Sequence, residues 1–247
     1  MDPAYYVAAG SLKARSFQLD VVSNNLANTS TPGYKPEKSF FALFNKARDE
    51  GQGLPLSGYL NDGTVLASRG TDFSQGVLKT TGRTLDLALD GTGFFMVKAQ
   101  GRTLATRDGR FTLSRTGELQ TLDGATVLGK NGQPIVLDTA NPAFTVLPDG
   151  TVQQGPEPRG QLDIRDYQQT DALQRVGANR FDPGGATAKA AAGQVVQGSQ
   201  EQSSVDMATC MIDMIRLNRL FEMSLKAAST ITNDMDAKSI SDVSTGR

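Results

Sequence analysis

Apolar residues near the start of the chain fall at helical intervals. Tyr5, Ala8, Leu12, Leu19, Val22 and Leu26 step by three, four or seven and trace one stripe, broken at Arg15 and Ser16. Asp2 is placed to cap such a helix and Pro3 to open it, where a missing N–H costs nothing. The stripe stops in NNLANTSTPGYK, residues 24–35. Pro32 disfavours helical geometry at Thr31 and Gly33 can take a left-handed turn, so this segment is predicted to begin as a helix end and finish as a turn. From about Val65 to Gln154 the pattern changes to short alternating segments separated by Asp-Gly, Thr-Gly, Gln-Gly and Asn-Gly pairs. Gly101, Gly109, Gly117, Gly124 and Gly132 recur every seven or eight residues, with FTLS, ELQTL and ATVLG between them. That cadence predicts antiparallel hairpins forming a barrel or sandwich-like β domain.

Residues 155–200 carry GPEPRG, DPGGATAKAAAGQ and few bulky apolar side chains, and are expected to be loop-rich apart from a strand at LDIRDY, 162–167. A second helix is expected to open at Ser203 or Ser204. Met207, Met211, Met214, Asn218, Phe221, Leu225, Ala228 and Met235 alternate by fours and threes, and Ile212 and Ile215 widen the stripe. The residues after Met235 are polar and expected to fray. The pattern therefore divides into residues 1–35 (first helix and its turn), 36–64 (a connector), 65–200 (β domain with its return) and 201–247 (second helix and tail). The class is α+β, with N- and C-terminal amphipathic helices pairing as a coiled coil and, between them in sequence, a central antiparallel β domain of hairpins. Ordering two long helices costs backbone entropy comparable to what one stripe each returns by burial. The stripes are accordingly expected to be completed by other chains, for which a methionine-rich seam suits adaptable packing.

Composition removes much ordinary chemistry. The chain of 247 residues has no histidine and one cysteine, Cys210, so a disulfide framework, a cysteine zinc site and the commonest general base are all excluded. Lys plus Arg is 25 against 26 for Asp plus Glu, which gives no bulk attraction to nucleic acid or an anionic membrane. No apolar run approaches the roughly 20 residues of a membrane span, and the start lacks a basic region followed by an apolar one. A chain of this kind that leaves the cytoplasm is not expected to use a standard cleaved signal. Gly91-Thr92-Gly93 lacks the spacing of a phosphate loop, and the Asp-Gly pairs lack the remaining ligands of a calcium loop. Asn28-Thr29-Ser30 is a sequon only in form. No catalytic residue, cofactor or metal is expected. Arg69, Arg83, Arg102, Arg107 and Arg110 read as a solvated face or as intersubunit pairs.

Four ordered segments carry a resemblance. Asn24-Asn25-Leu26-Ala27-Asn28 with Thr31, Gly33, Tyr34 and Lys35 resembles the NNLANxxTxG signature of bacterial flagellar rod and hook proteins. Thr81-Gly82-Arg83-Thr84-Leu85-Asp86-Leu87-Ala88-Leu89-Asp90-Gly91, running into Gly93-Phe94-Phe95, is similar to the family's TGxxLDLAIxGxGFF segment. Thr106-Arg107-Asp108-Gly109 with Phe111-Thr112 is similar to its YTRDGxF turn, and Arg216, Arg219, Phe221, Glu222, Met223 and Lys226 lie on a C-terminal helix similar to its RxFEMxxK pattern. The stretch Gln197–Val205 departs from the EGSNV-like sequence usual before the last helix. Within the family the opening Met-Asp-x-Ala-x-Tyr and the short chain look most like the proximal rod subunit, with the distal rod subunit next.

The resemblance implies a structural subunit of the basal-body rod, not an enzyme. It would be exported by a type III apparatus, reside in the rod that spans the periplasm, and polymerise with other rod subunits into the axial shaft that transmits torque. Neither nucleic acid nor membrane insertion is implied. The assembly interface would be carried by Leu12, Leu19, Val22, Asn24, Asn25, Leu26, Asn28, Thr31, Gly33 and Tyr34 on the N-terminal side. On the C-terminal helix it would be carried by Met207, Met211, Met214, Ile215, Phe221, Glu222, Met223 and Leu225. Two other classes fit the residues less well. A carbohydrate-binding or adhesion module wants an aromatic-lined face, and the chain has no Trp and only 5 Tyr. A hydrolase could pair Asp86 with Asp90, which share a strand face.

Overall fold

The structure is a computed structural model that describes residues 3–43, 64–139 and 143–244. Most of the connector expected at 36–64, together with Asp2, lies outside the described residues. The chain divides into two compact units, one holding both helices and the strand Glu37–Leu43, the other taking Asn28–Pro36 and Thr71–Val205.

In the helical unit, α1 runs Pro3–Ala27 and α2 runs Met207–Ser244, and the two pack against each other. Proline opens α1 as its fixed φ favours. Asp206, not Ser203 or Ser204, caps α2: its carboxylate accepts from the Ala208 N–H at 3.0 Å and the Thr209 hydroxyl at 2.6 Å. The expected fraying after Met235 is corrected by a helix that continues to Ser244, because no glycine or proline falls between Met207 and Gly246 to stop it. On α1, Val21 and Asn25 are buried, one turn apart, while Leu12, Leu19, Val22 and Leu26 are half-buried. On α2 the covered face is Cys210, Asp213, Met214, Leu217, Leu220, Phe221, Ser224 and Ala228, at helical spacing. Met207, Met211 and Leu225 of the expected stripe stand outside it.

The second unit is built around the strand Phe94–Ala99, which joins Arg102–Thr106 through Gln100 and Gly101. Both turn residues have positive φ, 51° and 77°, as a two-residue hairpin turn requires. The strand also pairs with Thr126–Val127 and Ile164–Tyr167, so it is central and apolar on both faces. Alternation sends Phe95 and Val97 into one core with Leu87, Phe111 and Leu162, and Phe94 and Met96 into another with Tyr167 and Phe181. The sheet path ends at Gln174–Gly177 and at Phe111–Leu113, which do not pair with each other among the described residues.

Residues 155–200 correct the expectation of loops. The strand expected at 162–167 is present as Ile164–Tyr167, and Glu157–Gln161, Gln174–Gly177, Arg180–Asp182, Ala188–Ala190 and Gln194–Gln197 are strands as well. They need few apolar side chains of their own because their partners supply the core: Val195 lies opposite Leu89, and Phe181 opposite Ala105. Phe111 is fully buried, its ring edge-on to Phe95 at 5.3 Å. Phe111→Ala is expected to lower the stability of this unit by about 3–5 kcal/mol, as measured by urea unfolding followed by circular dichroism.

Candidate functional site

The segment after α1 turns as its composition dictates. The Thr31 N–H donates to the Asn28 carbonyl at 3.2 Å, the Thr31 hydroxyl to the Asn28 side-chain oxygen at 3.2 Å, and the Tyr34 N–H to the Thr31 carbonyl at 3.2 Å. Gly33 has φ +68°, and a Cβ there would stand 2.6 Å from the Arg107 carbonyl carbon and the Asp108 nitrogen. Glycine is thus required twice, by conformation and by close approach. Within the helical unit, Asn25 uses its whole amide: Oδ1 accepts from the Glu37 N–H at 2.9 Å and Nδ2 donates to the Glu37 carbonyl at 2.8 Å. This side chain imitates a strand edge and holds the start of Glu37–Leu43 to the end of α1.

In the second unit, residues 28–36 form a strap held by three buried charges. Lys35 Nζ donates to Glu201 Oε1 at 2.5 Å and to the Ser74 carbonyl at 2.7 Å. Arg107 donates from one terminal nitrogen to Glu201 Oε2 at 3.2 Å and from the other to the Gly91 carbonyl at 2.8 Å. The Gly76 N–H completes the set, donating to Glu201 Oε1 at 2.8 Å. Lys35 and Glu201 have side chains 0% exposed and Arg107 4%. One carboxylate therefore answers two cations away from water. Burial pushes both Lys35 and Arg107 below their ordinary pKa values, and the Glu201 charge pulls each back up.

The other side of the strap is held by Arg175 and Asn179. Arg175 donates to the Lys35 carbonyl and lies 4.8 Å from the Tyr34 ring centre and 5.0 Å from that of Phe181. Asn179 Nδ2 donates to the Pro32 carbonyl at 2.8 Å, the Gly33 N–H to the Glu201 carbonyl at 2.8 Å, and the Ser204 N–H to the Tyr34 carbonyl at 3.3 Å. The chemistry of this corner is fixation. Asp86, half of the carboxylate pair weighed for hydrolysis, is buried and accepts from the Thr81 hydroxyl and from Gln200 Nε2, each at 2.7 Å. Among the described residues no group of three His, Cys, Asp or Glu side chains could hold a metal, and no helix is long and apolar enough to cross a membrane.

The residues singled out from the sequence separate into three sets. Asn28, Thr31, Gly33 and Tyr34 come together in the strap, and Asn25 in the bridge to Glu37. Leu12, Leu19, Val22 and Leu26 on α1, with Met214 and Phe221 on α2, are half-buried in the helical unit. Asn24, Met207, Met211, Ile215, Glu222, Met223 and Leu225 are exposed. Arg107 is a correction: it is buried and paired with Glu201, not part of a solvated face, because the Arg-Asp-Gly turn aims it inward beneath Phe94, 5.4 Å from the ring centre. Its position in a motif-like segment was a usable signal. Glu201 carried none, since it sits in the polar stretch 197–205.

Charge counting orders the consequences of substitution. Lys35→Met leaves Glu201 and Arg107 as a neutral pair, whereas Glu201→Gln strands two buried cations. Glu201→Gln is expected to cost about 3–5 kcal/mol, and Lys35→Met clearly less, in urea unfolding of the full chain. Gly33→Ala is expected to destabilise the strap and to speed amide exchange over residues 28–36 while leaving that of Phe94–Ala99 unchanged.

Comparison with known proteins matches the same segments. Residues 6–35 match the family profile described as flagella basal body rod protein, residues 88–154 the flagellar hook protein FlgE/F/G D1 domain, and residues 196–241 the flagellar basal body rod FlgEFG protein C-terminal region. The chain is 32% identical to the flagellar basal-body rod protein FlgG of Bacillus subtilis over 91% of its own length and 93% of the relative's. It is also 32% identical to the flagellar basal-body rod protein FlgF of Caulobacter vibrioides, over 92% of each chain. FlgG of Buchnera aphidicola from Acyrthosiphon pisum is 28% identical over 93% of this chain and 96% of that one. The signature that closes α1, the buried strap after it and these full-length similarities together place the chain in the family of bacterial flagellar basal-body rod proteins.

Proposed function

We propose that the protein is a non-enzymatic structural subunit of the proximal flagellar rod, resembling FlgF, which polymerises through α1 and α2 into the axial shaft that carries torque for motility. Its partners are further copies and neighbouring rod subunits. It reaches the periplasm-spanning rod through the type III export apparatus. In the assembled shaft the two helices pair as a coiled coil.

The observation that carries this reading is the apolar surface of α2. Of ten large hydrophobic side chains left exposed among the described residues, six lie on this one helix: Met207, Met211, Ile212, Ile215, Met223 and Leu225. A surface helix covered on one face and still apolar on another is built for a second contact. The distal rod is the second reading, favoured by the equal similarity to a FlgG and a FlgF. The double variant Met211→Asp/Ile215→Asp is expected to keep the monomer's circular dichroism and to abolish both incorporation into isolated basal bodies and swimming. Wild-type incorporation of that variant would overturn the proposal.

A further inference from the structure

Within the helical unit lies a cavity of about 340 Å³, lined by Arg15 and Gln18 of α1, Asp213, Arg216 and Leu217 of α2, and Ser39. Arg15 Nε is shut off from solvent and has no hydrogen-bond acceptor. Among the described residues neither Arg15 nor Arg216 forms an ion pair, with Asp213 or with any other carboxylate. Two guanidinium forks thus face a cavity that holds one carboxylate, leaving a positive charge and a buried donor unanswered. An unsatisfied buried N–H is costly, and the planar fork of arginine matches a carboxylate in two-point contact.

The same chain carries a complementary group. Successive residues of a helix are rotated by about 100°, so Asp213, Leu217 and Leu220 share one side of α2 while Met211, Ile215, Glu222 and Leu225 share the opposite side. Glu222 is exposed at the middle of that apolar arc and is without a partner among the described residues. Ile215 and Leu225 flank Glu222 along the arc, and Arg219 and Lys226 lie one turn to either side of it without pairing with it among the described residues. When the arc is covered, the carboxylate is desolvated and gains from a cation held in a closed site.

We propose that Glu222 of one copy enters the cavity of the next copy and is held between Arg15 and Arg216, while the apolar arc around it covers the rim. This deepens the rod reading and rests on it. Because donor and acceptor lie on opposite sides of α2, the contact is head-to-tail, and such a contact propagates as an open helical filament unless its rotation closes a ring.

The test is a charge exchange in the full-length chain, expressed in cells lacking their own copy and read as the amount of subunit in isolated basal bodies. Glu222→Arg alone, and Arg15→Glu with Arg216→Glu, are each expected to reduce incorporation about tenfold, the factor set by one lost ion pair of ordinary strength. Combining all three substitutions is expected to restore it. Circular dichroism of each purified variant checks the fold. If Arg15→Glu unfolds the helical unit, Arg216→Glu, at an exposed position, is exchanged with Glu222→Arg instead. Loss in both variants without restoration overturns the pairing, as does full incorporation of the single-sided variants, and neither result touches the rod reading. Absence of the unaltered chain from basal bodies would overturn the rod reading and the pairing with it.

Discussion

One carboxylate, Glu201, organises the corner at which the chain leaves its first helix. It receives Lys35 from the strap, Arg107 from the turn between two strands and the Gly76 N–H from a third segment, all out of contact with water. A buried ion pair is weak evidence for stability, since desolvating the charges offsets most of their attraction. Its effect is selection. Three segments far apart in sequence have only one arrangement in which the charges are answered, so the strap has one seat. Gly33 and Tyr34 are then positioned by the surfaces around them, with backbone on one side and Arg175 on the other.

The two units solve burial in opposite ways. In the β unit, Phe94–Ala99 feeds two cores from its alternate faces, and strands poor in apolar residues are acceptable beside it because they only cover what it exposes. In the helical unit, two helices cannot cover each other's full circumference, and Met207, Met211, Ile212, Ile215, Met223 and Leu225 of α2 stay exposed. Among the described residues the exposed large hydrophobic side chains follow that geometry in number, six on α2 against four, Val77, Leu122, Val136 and Val176, in the whole of the β unit.

Both helices, the turn at Pro32 and Gly33, and the antiparallel hairpins were legible in the sequence, because proline, glycine and the spacing of apolar residues act locally. The strands between 157 and 197 were not. Their side chains say little, and their extended form is imposed by partners such as Leu89 and Ala105, which lie about a hundred residues or less away in sequence but opposite in the sheet. The buried charges were half legible. Lys35 and Arg107 lie in segments that resemble the family, yet nothing local shows that a lysine and an arginine share an acceptor, and Glu201 looks like one polar residue among many. The end of α2 was misread for the converse reason, since polar residues without a breaker extend a helix as readily as they fray one. On the same helix, the periodic stripe gave the right element but did not say which of its sides the first helix would take.

The distance along the chain between Lys35 and Glu201 is 166 residues. A polypeptide made from its N-terminus therefore finishes the strap at residues 28–36 long before the residue that locks it exists. Closing so large a loop carries an entropic penalty, and contacts of such long range form late. The strap must wait while the hairpins between it and Glu201 assemble, so a segment made early in synthesis is among the last parts of the β unit to become fixed.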